Sequence, residues 1–143
     1  MRNLLAALIV ASSMLACSGP GPSSTASAPA VEATGAWGLV SGTDAGVAIR
    51  LVADHPITLT VDGLKIAGRA ACNAYGGEIV VAGGQLRFSP MSMTEMACDE
   101  PSMAAEAAYV TALAKVRGAS RTGDRLTLTG PGVELAFDRV PPA

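Results

Sequence analysis

Few residues in this chain could do chemistry, and they are widely spaced. Three cysteines, Cys17, Cys72 and Cys98, and one histidine, His55, supply all the thiol and imidazole groups of the 143 residues. His55 stands in an Asp54-His55-Pro56 turn with no partner histidine, and no Gly-x-Ser-x-Gly elbow accompanies it, so a serine–histidine site is not expected. The cysteines do not have C-x-x-C spacing, which argues against both a zinc site and a redox dithiol. Gly76-Gly77 and Gly83-Gly84 sit at strand ends and read as turns, not as phosphate or dinucleotide loops. Glu106 lies inside an apolar helical arc and invites a reading as a buried acid. With no second carboxylate at a helical partner spacing, it is expected to reach solvent or a nearby arginine, because a lone buried charge is costly. Asn73 and Thr94 are expected to bond the local backbone in preference to holding a ligand. Tyr75, on a glycine-rich loop, either faces a partner or caps the core. No catalytic residue, metal site or cofactor follows, and the expectation is a protein that is not an enzyme.

Composition narrows the partners. The formal charge is −2, and basic residues such as Arg50, Lys65, Arg69 and Arg87 are scattered singly. Nucleic-acid binding needs clustered positive charge, so it is not expected. The sparse aromatics, Trp37, Tyr75, Phe88, Tyr109 and Phe137, make a poor stacking platform. The core must be built from Val, Leu, Ile, Ala and Met.

The N-terminus has the order of features that directs export. Arg2 gives a positive start, Leu4 to Met14 is an apolar run too short to span a bilayer as a stable helix, and small residues follow. Met14-Leu15-Ala16-Cys17 resembles the lipobox of bacterial lipoproteins, with Met14 where Leu is usual. That resemblance implies cleavage after residue 16 and fatty acylation, palmitate included, on Cys17 as the new N-terminus. Residues 17–34 are rich in Ser, Pro, Gly and Ala and cannot bury enough apolar surface to offset their ordering entropy. They read as a disordered tether spanning on the order of 20–25 Å. Ser18 carries no inner-membrane retention signal, so the lipoprotein resemblance implies an outer-membrane anchor facing the periplasm in a Gram-negative cell. The expected partner is thus the membrane, through Cys17.

Assigning Cys17 to lipid leaves Cys72 and Cys98 in an oxidising compartment, where a structural disulfide is the expected pairing. Closing that loop would stabilise the fold by roughly 3.5 kcal/mol in the chain-entropy model.

Residues 35–143 read as one domain of short strands. Trp37 and Leu39 start a strand, and Val47, Ile49 and Leu51 alternate along the next. Three hairpins follow, turning at Asp62-Gly63, Gly83-Gly84 and Gly130-Pro131-Gly132. A helix is expected over about Pro101 to Arg117, with Asp99 and Glu100 at its start and Gly118 beyond its end. Met103, Tyr109, Val110, Leu113 and Val116 are expected to pack it on the sheet.

The run from Gly68 to Gly77, centred on Cys72-Asn73, resembles the Gly-x-x-Gly-Cys-Asn signature of META domains. Thr94-Glu95-Met96-Ala97-Cys98 resembles that family's second block, Glu106, Tyr109 and Leu113 its helix, and Gly123 to Leu128 its closing hairpin. Trp37-Gly38-Leu39-Val40-Ser41 fits its opening. The blocks stand in the family's order across nearly all of residues 35–140. The resemblance, which extends to HslJ-like heat-shock proteins and many lipoproteins, implies an α+β fold: a mainly antiparallel, barrel-like β-sheet carrying one α-helix. It also implies a role in envelope stress, heat response or secretion. Ala71 stands where the family usually has Gly, which predicts a local backbone that departs from any positive φ there.

Two functions fit this reading: a monomeric, non-catalytic binding or assembly module with an envelope protein partner, or a carrier of a small apolar ligand or inhibitor of a secreted hydrolase. A cavity wide enough for an apolar ligand would distinguish them. Lipidation is open to direct test. Intact-mass measurement of the protein from its native envelope is expected to show residues 1–16 missing and an acyl mass on Cys17. A soluble product beginning at Ser18 or later, without proteolytic processing, would contradict it.

Overall fold

The strands are set by where glycine permits the chain to reverse. Gly63, Gly83, Gly84, Gly123 and Gly132 all adopt left-handed φ between +58° and +74°, a conformation that costs other L-residues a Cβ clash. Each marks a tight hairpin loop. In the computed structural model, which describes residues 33–141, the strands are β1 (Gly35–Asp44), β2 (Val47–Ala48), β3 (Thr58–Asp62), β4 (Lys65–Arg69), β5 (Ala74–Ala82), β6 (Gln85–Phe88), β7 (Ser92–Met93), β8 (Gly118–Thr122), β9 (Arg125–Gly130) and β10 (Val133–Arg139). A helix, α1 (Glu100–Ala114), stands between β7 and β8. Residues 1–16 and Cys17 lie outside the described residues.

All ladders are antiparallel, in the order β6-β5-β4-β3-β1-β10-β9-β8, with β2 on β1 and β7 on β5. The sheet curls until its two ends meet: Leu86 N–H of β6 donates to Arg117 O, just before β8, at 2.8 Å. The result is the nearly closed antiparallel barrel with one helix that the sequence led one to expect. Alternate strand residues point inward, and Trp37, Leu59, Leu86, Leu126, Leu128, Leu135 and Phe137 are fully buried. Trp37 anchors one stretch of this core. Its Nε1 donates to Ala33 O at 2.7 Å, and the Arg139 guanidinium lies 4.6 Å from its ring. Ala33, within the expected tether, is therefore already buried in the core.

Local expectations failed at several points for identifiable reasons. The strand expected through Val47, Ile49 and Leu51 stops after Ala48, because β3 occupies the same edge of β1 at Gly35–Gly38. Leu51 is left exposed. The first hairpin turns on Gly63-Leu64, one residue later than expected, with Asp62 paired to Lys65. Strand β8 lacks an apolar alternation and had not been expected; it forms by pairing with the free edge of β9. The helix ends at Ala114, not Arg117, since Arg117 N–H is drawn to Thr129 O in β9.

The helix packs on the sheet through Tyr109 and Leu113 as expected, with Val116 buried just beyond its end, but not through Met103. Asp99 caps it by accepting from Ser102 N at 2.9 Å, and Ser102, through its hydroxyl first and its N–H second, holds the Asp99 carboxyl below its usual range. Ser102, Ala105, Glu106, Tyr109, Ala112 and Leu113 face inward, whereas Met103 is exposed and Val110 half-buried. The small residues Ala105 and Ala112 let α1 pack closely against β1, β10 and β6. At its far end Lys115 Nζ pairs with Asp44 at 2.6 Å. There Gly130 passes so near the helix terminus that a Cβ would overlap the Lys115 carbonyl. Gly130→Ala is accordingly expected to lower stability by about 2–3 kcal/mol, read as a reduced urea midpoint with an unchanged m-value.

Candidate functional site

Cys72, Cys98 and three of the polar residues singled out in the sequence, Asn73, Thr94 and Glu106, converge on one cluster. Between β4 and β5 the chain makes a tight turn in which Ala70 N–H donates to Asn73 O at 2.8 Å. Ala71 holds the left-handed conformation in that turn, with φ of +71°. The backbone thus does not depart from positive φ where the sequence predicted it would; the surrounding bonds impose that geometry on a residue with a Cβ. Cys72 follows and is joined to Cys98 in a disulfide, with Cα atoms 5.9 Å apart. This ties the β4–β5 turn to the segment entering α1.

Asn73, next to it, uses all of its hydrogen-bonding capacity. Its Oδ1 accepts from Thr94 Oγ1 at 2.8 Å and from Met96 N at 2.7 Å. Its Nδ2 donates to Met96 O at 3.2 Å and to Glu106 Oε1 at 3.0 Å, and its backbone N–H donates to Glu106 Oε2 at 2.6 Å. Thr94 Oγ1 in turn accepts from Ala74 N at 3.1 Å. Cys72 Sγ lies 3.4 Å from Met96 O, a contact and not a hydrogen bond, because the disulfide leaves no thiol proton.

Glu106 corrects the sequence reading. It reaches neither solvent nor an arginine; only 9 % exposed, it points inward and clamps Asn73 with both oxygens. The bonds from two N–H donors replace the water it loses on burial. The missing signal was the partner's type: the reading sought a second charge, whereas an amide and a backbone N–H serve.

Tyr75 caps the core and does not face a partner. It is 4 % exposed, and its hydroxyl donates to Thr58 O at 2.8 Å. The fully buried Tyr109 hydroxyl is 2.8 Å away. Since Thr58 O can only accept, the Tyr75 proton is committed to it and Tyr109 donates to Tyr75. Gly68 makes room for this pair, because a Cβ there would strike Thr58 O and the Tyr75 hydroxyl. Burial raises both phenols above the ordinary tyrosine value. His55 is not part of the cluster. It sits half-buried in its turn, its N–H on Val52 O at 3.1 Å.

The arrangement thus consumes its polar atoms in mutual bonds. What it holds outward is the loop Thr94–Ala97, whose Glu95 and Met96 are exposed. A cleft of about 290 Å³ adjoins it, lined by Met93, Met103, Glu106, Ala107, Val110 and Thr111. A larger one of about 470 Å³ opens on the outer face of β3, β4 and β5, over Thr60, Ala67 and Gly76.

Two measurements probe the cluster. Replacing Cys72 and Cys98 by Ser is expected to cost roughly 2–5 kcal/mol, and the denatured, unreduced domain should show no reactive thiol at either position. The tyrosine pair predicts alkaline instability. Both phenols titrate higher when folded than the unfolded value of about 10, so their contribution is complete below that pH and is lost as pH rises above it. Because these are the chain's two tyrosines, tyrosinate absorbance is expected to appear together with unfolding, not as a separate titration near pH ~10.

Comparison with known proteins agrees with this geometry. No curated protein matches the chain. Among solved structures, the NMR structure of a protein from Burkholderia xenovorans superposes with a TM-score of 0.65 at 27% identity, covering 91% of this chain and 95% of that one. A second NMR structure, at 20% identity and a TM-score of 0.56, covers 78% of this chain and 93% of its own and shares the fold. The META domain matches residues 30–141, the stretch that holds the barrel, the disulfide and the Asn73 cluster, and the chain therefore belongs to the META domain family.

Proposed function

We propose that this META domain is a non-catalytic binding or assembly module, held at a bacterial cell envelope by lipid on Cys17 and acting on a protein partner in envelope stress, heat response or secretion. The observation that carries the reading is the way the Asn73 cluster is used. Its five hydrogen bonds to Thr94, Met96 and Glu106, with the disulfide two residues on, immobilise the backbone beneath an exposed loop. A rigid support under outward Glu95 and Met96 suits recognition, since side chains fixed before binding lose little entropy on contact. Nothing in the cluster is poised as a nucleophile and base: Tyr75, Tyr109, Asn73 and Glu106 are all bonded to one another or to the backbone.

The export signals of residues 1–16, the lipobox-like run ending at Cys17 and the Ser/Pro-rich tether support display at the envelope, in the periplasm-facing leaflet of the outer membrane if the cell is Gram-negative. The carrier alternative is less well supported. Leu59, Leu126, Leu128, Leu135 and Phe137 fill the inside of the barrel, and an apolar ligand would have to displace them.

Photo-crosslinking in intact cells tests the proposal. A crosslinker at position 95 or 96 is expected to capture a defined envelope protein, identified by mass spectrometry, that a crosslinker at exposed Gln85 does not. Equal capture from all three positions, or none from 95 and 96, would remove its basis.

A further inference from the structure

We propose that Met93 and Met103 form a thioether site for a soft monovalent cation, Cu(I) or Ag(I), in the cleft between β7 and α1. The chain's six methionines include Met1 and Met14 near the start; the other four, Met91, Met93, Met96 and Met103, all fall between β6 and the first turns of α1. Folding brings two of these, Met93 at the end of β7 and Met103 in the first turn of α1, to the same cleft of about 290 Å³.

The chemistry of the site follows from what else is available. Cys72 and Cys98 are bonded to each other, so among the described residues no thiolate competes. Among the described residues no group of three or more His, Cys, Asp or Glu side chains gathers, which leaves zinc, calcium and magnesium without a cage. Glu106, the cleft's one carboxylate, already has both oxygens on Asn73. Two neutral, polarisable sulfurs remain, and thioethers select soft ions such as Cu(I). Such d10 ions accept two donors in a near-linear arrangement. Met side chains have the rotameric freedom to supply it, and Ala107 and Val110 line the cleft beside them. Glu95, Asp99 and Glu100 are exposed on the same stretch of chain, and their field favours a cation.

The test uses the purified full chain labelled with ¹³C at the methionine ε-methyls and titrated with Ag(I). The Met93 and Met103 signals are expected to shift together and saturate at one equivalent. Replacing both by Leu keeps the cleft apolar and near its volume, which equal melting temperatures would verify. That pair is expected to weaken Cu(I) binding, measured anaerobically against a chromophoric Cu(I) chelator, by at least about tenfold. Met96→Leu is expected to leave it within about twofold. The proposal is overturned if the wild-type signals respond in order of exposure without saturating, with Met96 leading. It is equally overturned if the double Leu variant competes as well as the wild type.

Discussion

A buried carboxamide is tolerated only when both of its N–H groups and its carbonyl oxygen find partners, and Asn73 meets that condition by reaching two separate segments. It is 3 % exposed and bonds Thr94, both backbone groups of Met96, and Glu106. Without its side chain, the Glu106 carboxylate would keep only the Asn73 backbone N–H as a donor, and the backbone of Met96 would lose its partners. Each unsatisfied group would cost about 1–3 kcal/mol. Thr94–Cys98 therefore takes its course from one side chain, and α1 is positioned by the same side chain through Glu106.

The disulfide and the tyrosine pair act on the same junction from either side. Cys72–Cys98 limits how far the β4–β5 turn can part from the helix entrance, and the Tyr109 and Tyr75 hydroxyls, ending on the Thr58 carbonyl, join α1 through β5 to β3. The tilted Tyr75–Tyr109 contact at 5.9 Å and the edge-on Tyr109–Phe137 contact at 6.5 Å extend that joint to β10. A helix that touches β1, β6 and β10 at once can bridge a curled sheet only if its inward face is narrow in places, and Ala105 and Ala112 provide that narrowness. Strain at Ala71 is tolerable here because the turn is over-determined: the Ala70–Asn73 bond, the disulfide and the Glu106 clamp all enforce it.

Legibility from sequence followed interaction range. The glycine-punctuated hairpins, the N-terminal end of the helix and the Cys72–Cys98 pairing could be read, because turn chemistry and capping are local and the pairing follows from parity together with an expected export. What could not be read depended on which edges and faces the barrel leaves open. Val47, Ile49 and Leu51 alternate like a strand, yet β3 had taken the edge they needed. Gly118–Thr122 carries no strand pattern, yet β9 offered it one. The helix face was misjudged because Met103 and Val110 were weighted by hydrophobicity, whereas close packing selected Ala105 and Ala112. Asn73 and Thr94 were expected to bond the local backbone, and Tyr75 was left between a partner and the core; the bonds of Asn73 to Thr94, Met96 and Glu106 and of Tyr75 to Thr58 are long-range facts that single positions do not reveal.

The same reasoning separates support from display at the candidate surface. Buried polar groups with full partners rigidify what lies above them, and here what lies above is Met96, 49 % exposed. A large apolar side chain left in water gains nothing for folding, and in this chain the Asn73 bonds to its own N–H and C=O fix its backbone in that outward position. Conformational freedom removed during folding is freedom that a binding partner need not remove later. The hydrogen bonds that stabilise the interior and those that fix the exposed loop are therefore the same bonds, and a substitution that loosens Asn73 would be felt on both sides of the loop.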